Sequence, residues 1–485
     1  MSFHQYKMIY FLGIGGIGMS ALARYFKTTD KRVSGYDKCP TELTRQMETE
    51  DIRIHYDENI DRVTKEISDV FKSNIHSGDE AANTGKSDAN LNNFSDEILV
   101  IRTPAVPDDH TELKWFRDNH FTIIKRAEAL GMITRGKFTV AVAGTHGKTS
   151  VSSMIAHILN TSGCNCTAFL GGIIMNYDSN FVMSHAAGGK EIIVAEADEY
   201  DRSFLNLSPD IAVVTAMDAD HLDIYGSAGN MRNAYREFAG KIKKNGVLLV
   251  RSDLAGEFFS FRDEKKGKLF TYGFSPDSDF TGIPAGKEGS GFSFRSEKMD
   301  IRNMELPVPG RHNLENATAA IAAASICGVQ PDDIIKSLVS FTGVRRRFEY
   351  HIRNDNVIMI DDYAHHPEEI RALVSAVREV HPGKKITGIF QPHLYSRTRD
   401  FADDFAHVLD GMDDVILLDI YPAREKPVSG VTSALIADKM KLSGKIVINK
   451  NELMDEIRKR KVEVLLTIGA GDIDTLIPGI KKIFS

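Results

Sequence analysis

The segment Gly144-Thr145-His146-Gly147-Lys148-Thr149-Ser150 follows the apolar run Phe138 to Ala143 and opens a helical pattern from about Lys148 to Thr161. A glycine-containing turn between strand and helix aims backbone amides at an anion, while the lysine reaches terminal phosphates and the threonine hydroxyl suits magnesium. The full GxxxxGK[ST] pattern would need glycine where Val142 stands. ATP is the expected ligand of this variant turn. A second glycine turn, Gly13-x-Gly15-x-x-Gly18, follows the run Lys7 to Leu12, and Asp37 comes about twenty residues later. That fingerprint alone leaves three readings open: NAD or FAD, another nucleoside diphosphate, or a structural turn.

Two acidic clusters follow strand-like runs, where open α/β sheets place ligands. Glu196-Ala197-Asp198-Glu199-Tyr200-Asp201 ends the run from Glu191, and Asp218-Ala219-Asp220-His221 ends the run Ile211 to Thr215. Close carboxylates repel one another unless cations or solvent offset them, so Glu196 and His221 are candidate ligands for magnesium or a second metal, against a solvated acidic loop. In Gly310-Arg311-His312-Asn313-Leu314-Glu315-Asn316, His312 or Asn313 could simply cap the alanine-rich helix that follows. Arg345-Arg346-Arg347-Phe348 is a positive cluster suited to phosphate or to a solvated hinge. Asp361 to Pro367 (DDYAHHP) and Gln391 to Thr398 (QPHLYSRT) each end a strand and are expected to face one crevice. The adjacent His365 and His366 are a poor zinc pair.

These residues need rigid elements to hold them, and the chain alternates strand and helix for most of its length. The first unit is strand, glycine turn, helix Met19 to Lys27 and strand Arg32 to Tyr36, with further strands at Glu97 to Arg102 and Thr122 to Lys125. Between about Phe270 and Met304 the pattern turns short, glycine-rich and alternating, which suggests a small accessory sheet. After Arg345 come strands near Val357, Lys385, Val415, Lys445 and Val462, with helices Pro367 to Val380 and Arg399 to Leu409. Ile370, Leu373, Val374 and Val377 fall on one face of the first of these helices. The expected fold class is α/β with three domains: a Rossmann-like unit over 1–133, a central ATPase-type unit over 134–344, and a Rossmann-like unit over 345–485. Residues 73–95, rich in Ser, Asn, Asp and Gly, read as a surface insertion within the first.

Composition narrows the function. With 485 residues, 60 Lys and Arg against 67 Asp and Glu, and a net charge of -7, the chain does not suit an electrostatic nucleic-acid binder. No stretch approaches the roughly 18 apolar residues of a membrane span, and the N-terminus runs into a glycine turn instead of a cleavage site. Four cysteines with no CxxC pair read as free thiols. A cytoplasmic enzyme, monomeric or weakly dimeric, with no membrane or nucleic-acid partner, is expected.

Taken together the motifs resemble the Mur ligases. GIGGIGMSALA (Gly13 to Ala23), GTHGKTS, EADEYD, DADHLDIYG, GRHNLENATAA, RRF, DDYAHHPEE, FQPHLYSRT and GAGD (Gly469 to Asp472) occur in the family's order across nearly the whole chain. The resemblance implies an ATP-dependent ligase of peptidoglycan precursor synthesis that joins L-alanine to the carboxylate of UDP-N-acetylmuramate through an acyl phosphate. It implies that Gly15, Gly16, Ile17 and Gly18, with Asp37 near the nucleoside, hold a UDP-sugar and not NAD. Gly144 to Ser150 would hold ATP, with Lys148 on the phosphates. Thr149, Glu196 and His221 would hold one or two Mg2+ or Mn2+ ions. It further implies His312, Asn313 and Asn316 around adenine, Arg347 and Asp362 reaching phosphate and ribose, and Tyr363, His365 and Arg397 on the amino-acid side. Lys148, His221, Arg347 and His365 would be the catalytic set, and domain closure would be required.

Three features depart from the family pattern. Leu394 stands where arginine is frequent, Ala364 replaces a frequent glycine, and Tyr225 to Phe238 holds no lysine of the kind that becomes carbamylated in several members. The nearest rival is a salvage ligase on the same scaffold that attaches a recovered tripeptide to the same sugar nucleotide. A folylpolyglutamate synthase would lack the N-terminal domain. A nicotinamide oxidoreductase would use the Gly13 to Gly18 turn but leave Gly144 to Ser150 idle, and a silent nucleotide-binding regulator would not need Lys148, Glu196 and His221 together.

Overall fold

A computed structural model describes residues 3–72, 95–184, 189–218, 222–261, 267–286, 290–423 and 425–484. His221 and nearly all of the 73–95 insertion therefore lie outside the described residues, and so does any test of their expected roles.

The described residues form three sheets. In the first, β1 (Met8–Leu12), β2 (Arg32–Tyr36), β3 (Arg53–His55), β4 (Ile98–Arg102) and β5 (Thr122–Lys125) lie in the order β3-β2-β1-β4-β5. All are parallel, and the order reverses at β1, the position where such sheets open a ligand crevice. Helix α1 (Ile17–Thr28) starts at that reversal. β1 and β4 are apolar at nearly every position because helices cover both faces.

The second sheet contains β6 (Phe138–Ala143), β7 (Cys166–Ile174), β8 (Ser179–Met183), β9 (Ile192–Glu196), β10 (Ile211–Val214), β11 (Val247–Arg251), β12 (Lys268–Gly273), β13 (Phe280–Ala285), β14 (Gly291–Ser296) and β15 (Asp300–Glu305). Their order is β15-β14-β13-β12-β11-β10-β6-β9-β7-β8. The alternating stretch after Phe270 is thus no separate accessory sheet: β12 pairs parallel with β11, β13 continues from β12, and β14 and β15 extend the same ladder antiparallel. Its short alternating strands mark an edge with one solvated face. Helices α2 (Lys148–Thr161) and α3 (Arg311–Ile326) pack on each other against this sheet, and the alanines of α3 let them approach closely.

In the third sheet, β16 (Glu349–Arg353), β17 (Ile358–Asp362), β18 (Ile386–Phe390), β19 (Asp414–Leu417), β20 (Lys445–Val447) and β21 (Val464–Ile468) follow the order β16-β17-β21-β18-β19-β20. Only β16 runs antiparallel. Helix α4 (Pro367–Val380) buries Ile370, Leu373, Val374 and Val377, the stripe expected from its periodicity. The helix expected over Arg399 to Leu409 instead begins at Tyr395 and breaks at Phe401, giving two short helices, Tyr395–Asp400 and Ala402–Leu409. At the break Phe401 has φ -116 and ψ 20, and its ring meets the His366 ring at 4.9 Å.

Apolar clusters cross the domain limits. One joins a face of the second sheet, through α3, to α4 and the third sheet, and another joins the first sheet to the opposite face of the second. No described helix is long and apolar enough to cross a membrane.

Candidate active site between three domains

The ATP turn follows β6, which lies between β9 and β10. Gly147, at the N-terminus of α2, has φ 79, and a Cβ there would sit 2.6 Å from Asn316 Oδ1. This residue must be glycine, and Asn316 comes directly against the phosphate turn. Thr145 is buried, donating its amide to the Ala216 carbonyl and accepting from the Asp218 amide through its hydroxyl. Ser150 lies in the first turn of α2. Lys148 Nζ donates to the Gly144 carbonyl at 2.6 Å and to Glu199 Oε1 at 3.0 Å. Burial works against the charged amine, but the carboxylates of Glu199, Glu196 and Asp198 hold its pKa well above the ordinary lysine value.

The acids of this run are each paired, and Glu199 is buried. Glu196 Oε2 accepts from the Gly171 amide at 2.9 Å, Glu199 meets Lys148, Asp198 meets Arg126 at 3.1 Å, and Asp201 meets Lys125 at 3.5 Å. Each acid finds a different cation or donor, which relieves their repulsion. Two successive glycines of β7 lie beneath the expected metal ligands: a Cβ on Gly171 would come within 2.3 Å of Glu196 Oε1, and one on Gly172 within 2.8 Å of the Thr149 methyl. The Thr149 methyl and the Glu196 carboxylate thus lie over the two positions of β7 that carry no side chain, and a hydroxyl and a carboxylate are the oxygen donor types a hard divalent cation takes.

The arginine cluster divides by direction. Arg345 bridges Glu42 of the first domain and Asp178 of the second. Arg346 bonds Asp361 and the carbonyls of Gly469 and Gly471 inside the third. Arg347 lies 4.0 Å from Glu369, which itself reaches His146 of the Gly144 to Ser150 turn, and 5.2 Å from the centre of the Tyr363 ring. Neither His312 nor Asn313 caps α3, because Gly310 is the capping residue and Asn313 instead donates its side-chain amide to the Pro309 carbonyl. Burial and the Arg347 charge push His312 down to about 4. Asp362 accepts from the Phe348 and Ala364 amides, and burial pushes its carboxyl up to about 6 against the pull of Arg347.

On the amino-acid side, Tyr363 lies under both Arg346 and Arg347, and His365 contacts the Tyr363 ring at 5.4 Å and the His393 ring at 6.0 Å. His393 stacks on Tyr421 and lies 3.3 Å from buried Arg397. The turns after β17 and β18 therefore do face one crevice. Leu394, buried, holds φ 71, a backbone conformation costly for a branched side chain. His393 lies within a motif singled out in the sequence, while Tyr421, just beyond the end of β19, carried no motif signal.

In the first domain Asp37 is occupied by the glycine turn itself: its carboxylate accepts from the Gly15 amide at 2.7 Å and from the Lys38 amide at 2.8 Å. Gly16 precedes α1, and the Ile17 carbonyl accepts from Asn180 of β8, tying this turn to the second domain. Beside Gly18 a Cβ would meet the Arg126 guanidinium at 2.7 Å. Arg126, which sequence reasoning missed, places a positive charge between this turn and Asp198.

Three family models match consecutive stretches: the Mur ligase family catalytic domain over residues 8–138, the Mur ligase middle domain over 142–324, and the Mur ligase glutamate ligase domain over 346–471. A UDP-N-acetylmuramate–L-alanine ligase from Parabacteroides distasonis is 44% identical over 485 residues, covering 100% of this chain and 98% of that protein. The chain belongs to the Mur ligase family. A protein of the same name from Flavobacterium psychrophilum is 45% identical, covering 99% of each chain. Among solved structures, the UDP-N-acetylmuramate-alanine ligase of Thermotoga maritima superposes with a TM-score of 0.75 at 26% identity, covering 98% of this chain and 99% of that one. A murein peptide ligase from Psychrobacter arcticus shares the fold, with a TM-score of 0.68 at 18% identity and 98% of each chain covered. Mur ligases are ATP-dependent enzymes that use a divalent metal, and the three-domain α/β architecture here is theirs.

Proposed function

We propose that this Mur ligase joins L-alanine to the carboxylate of UDP-N-acetylmuramate, in the cytoplasm, during peptidoglycan precursor synthesis. The carrying observation is likeness over the full length, at 44% and 45% identity, to proteins named for that reaction. A carboxylate is a poor acyl donor until it gains a leaving group. The γ-phosphoryl group of ATP is therefore transferred to the muramate carboxylate with release of ADP, the alanine amine attacks the resulting acyl phosphate, and the tetrahedral adduct loses the amine proton and expels phosphate to give the amide.

Transfer between two anions needs charge neutralisation and positioning more than covalent help. Lys148 and the amides of Gly144 to Ser150 hold the β- and γ-phosphates, and Arg347 approaches them from the third domain. Asn313, Asn316 and His312 lie toward the adenine, and Asp362 lies toward the ribose. Thr149, Glu196 and His221 hold the divalent metal, Mg2+ or Mn2+, which when bound neutralises phosphate charge. Gly15, Gly16, Ile17 and Gly18 cradle the UDP pyrophosphate, with Asp37 shaping that turn through the Gly15 amide. Tyr363, His365 and Arg397 receive alanine, and domain limits near 133/134 and 344/345 separate the three binding surfaces.

The test is ATP-dependent phosphate release with UDP-N-acetylmuramate and L-alanine, set against the recovered tripeptide. Turnover with alanine supports the proposal. Turnover with tripeptide alone overturns it in favour of the salvage ligase.

A further inference from the structure

Glu369 is the third residue of α4, and a capping role explains half of its bonding. Its Oε2 accepts from the backbone amides of His365 at 2.9 Å and His366 at 3.2 Å, closing the helix N-terminus. Capping does not explain the other oxygen. Oε1 crosses to the second domain, where it meets His146 Nδ1 of the ATP turn at 3.1 Å, a contact between residues 223 positions apart. Arg347 Nη1 lies 4.0 Å from the same oxygen, and His365 Nδ1 lies 3.3 Å from Oε2. The neighbouring Glu368 provides the contrast: it pairs with Arg371 of its own helix and is 54% exposed, against 12% for Glu369.

We propose that Glu369 is a positioning residue that fastens the ATP turn to the third domain through His146 and so sets the distance between the nucleotide surface and the amino-acid surface. This rests on the function proposed above. The helix start that carries Glu369 directly follows Tyr363 and His365, and the His146 and His366 rings lie 5.1 Å apart on the same seam. On the other side, the His146 carbonyl accepts from the Thr215 hydroxyl at the end of β10, so the turn cannot follow a shift of α4 without breaking a bond at one end. Burial opposes the charge on Glu369, yet His365, His146 and Arg347 hold its carboxyl well below the usual range, so the anion persists at neutral pH.

Glu369→Gln separates the two roles. Its amide oxygen still caps α4, but the amide nitrogen then faces Arg347 and His146, so the anion that holds both charged groups is gone. In the full chain this variant should keep the wild-type KM for UDP-N-acetylmuramate, while the KM for ATP and for L-alanine each rise about tenfold, the scale of one lost charge-assisted hydrogen bond. His146→Phe should do the same, and the double variant should be no worse than either single one. Small-angle scattering without nucleotide should show a larger radius of gyration for Glu369→Gln. Unchanged KM values, losses that add in the double variant, or a fall in melting temperature with all three KM values rising together would overturn the proposal. The scattering comparison needs no turnover, so failure of wild type to ligate alanine would refute the proposed reaction without deciding the role of Glu369.

Discussion

Lys148 Nζ lies 3.0 Å from Oε1 and 2.9 Å from Oε2 of Glu199, a carboxylate only 1% exposed. A buried charge left without its partner destabilises a fold by about 3–5 kcal/mol. Lys148→Met should therefore lose stability as well as ligation. Adding Glu199→Gln removes the charge that Lys148 offsets and should restore part of the stability while activity stays absent. Urea unfolding read beside phosphate release checks both halves. A single variant as stable as wild type would contradict the ion pair.

A side chain at Gly171 would displace the Glu196 carboxylate, because the added Cβ would meet both of its oxygens, at 2.3 and 2.4 Å. Gly171→Ala should raise the divalent-metal concentration for half-maximal activity by about tenfold, through displacement of one ligand. Titration of Mg2+ at saturating substrates measures this directly. An unchanged metal dependence would remove Glu196 from the metal site.

Arg397 is a buried cation 3.3 Å from His393, proposed above to receive alanine. A planar guanidinium grips a carboxylate at two points and an ammonium does not. Arg397→Lys should raise the KM for L-alanine by about tenfold and leave the KM for ATP unchanged. Steady-state kinetics with each substrate varied distinguishes the outcomes, and a matched rise in both constants would argue for a structural role.

His312 makes acid stability a readout of the cleft. Its folded pKa, about 4, lies below the ordinary 6.5. Between those values the unfolded chain binds a proton that the native chain does not, so this residue's contribution to stability is lost as pH falls from 6.5 toward 4. At pH 5 the loss is at most about 2 kcal/mol. Asp362, raised to about 6 from 3.8, works in the opposite sense over much of the same range, so the variant comparison matters more than the raw profile. His312→Gln should lose less stability between pH 7 and pH 5 than wild type does, as measured by thermal melts. Parallel profiles would show that the His312 ring is not shielded as described.

The local parts of the site were legible because their signals are local. The strand Phe138 to Ala143 and helix Lys148 to Thr161 were read to the residue, since an apolar run, a glycine turn and a helical period occupy adjacent positions. The buried stripe of α4 and the shared crevice of the turns after β17 and β18 followed from periodicity and from where parallel sheets place their strand ends.

What the chain order alone determined is therefore the inventory: three α/β units, two glycine turns, and the residue types that a phosphoryl-activating ligase needs. Tertiary structure decided how those residues are used. It sent Arg345, Arg346 and Arg347 to three different partners, joined the strands after Phe270 to the central sheet, and engaged Asp37 with its own turn. It also brought Glu369 to His146. The physical reason is that side-chain pairing depends on how separately folded sheets dock. Neighbouring arginines leave a backbone in different directions, and a carboxylate that looks like a helix cap in sequence can turn its second oxygen toward a residue 223 positions away.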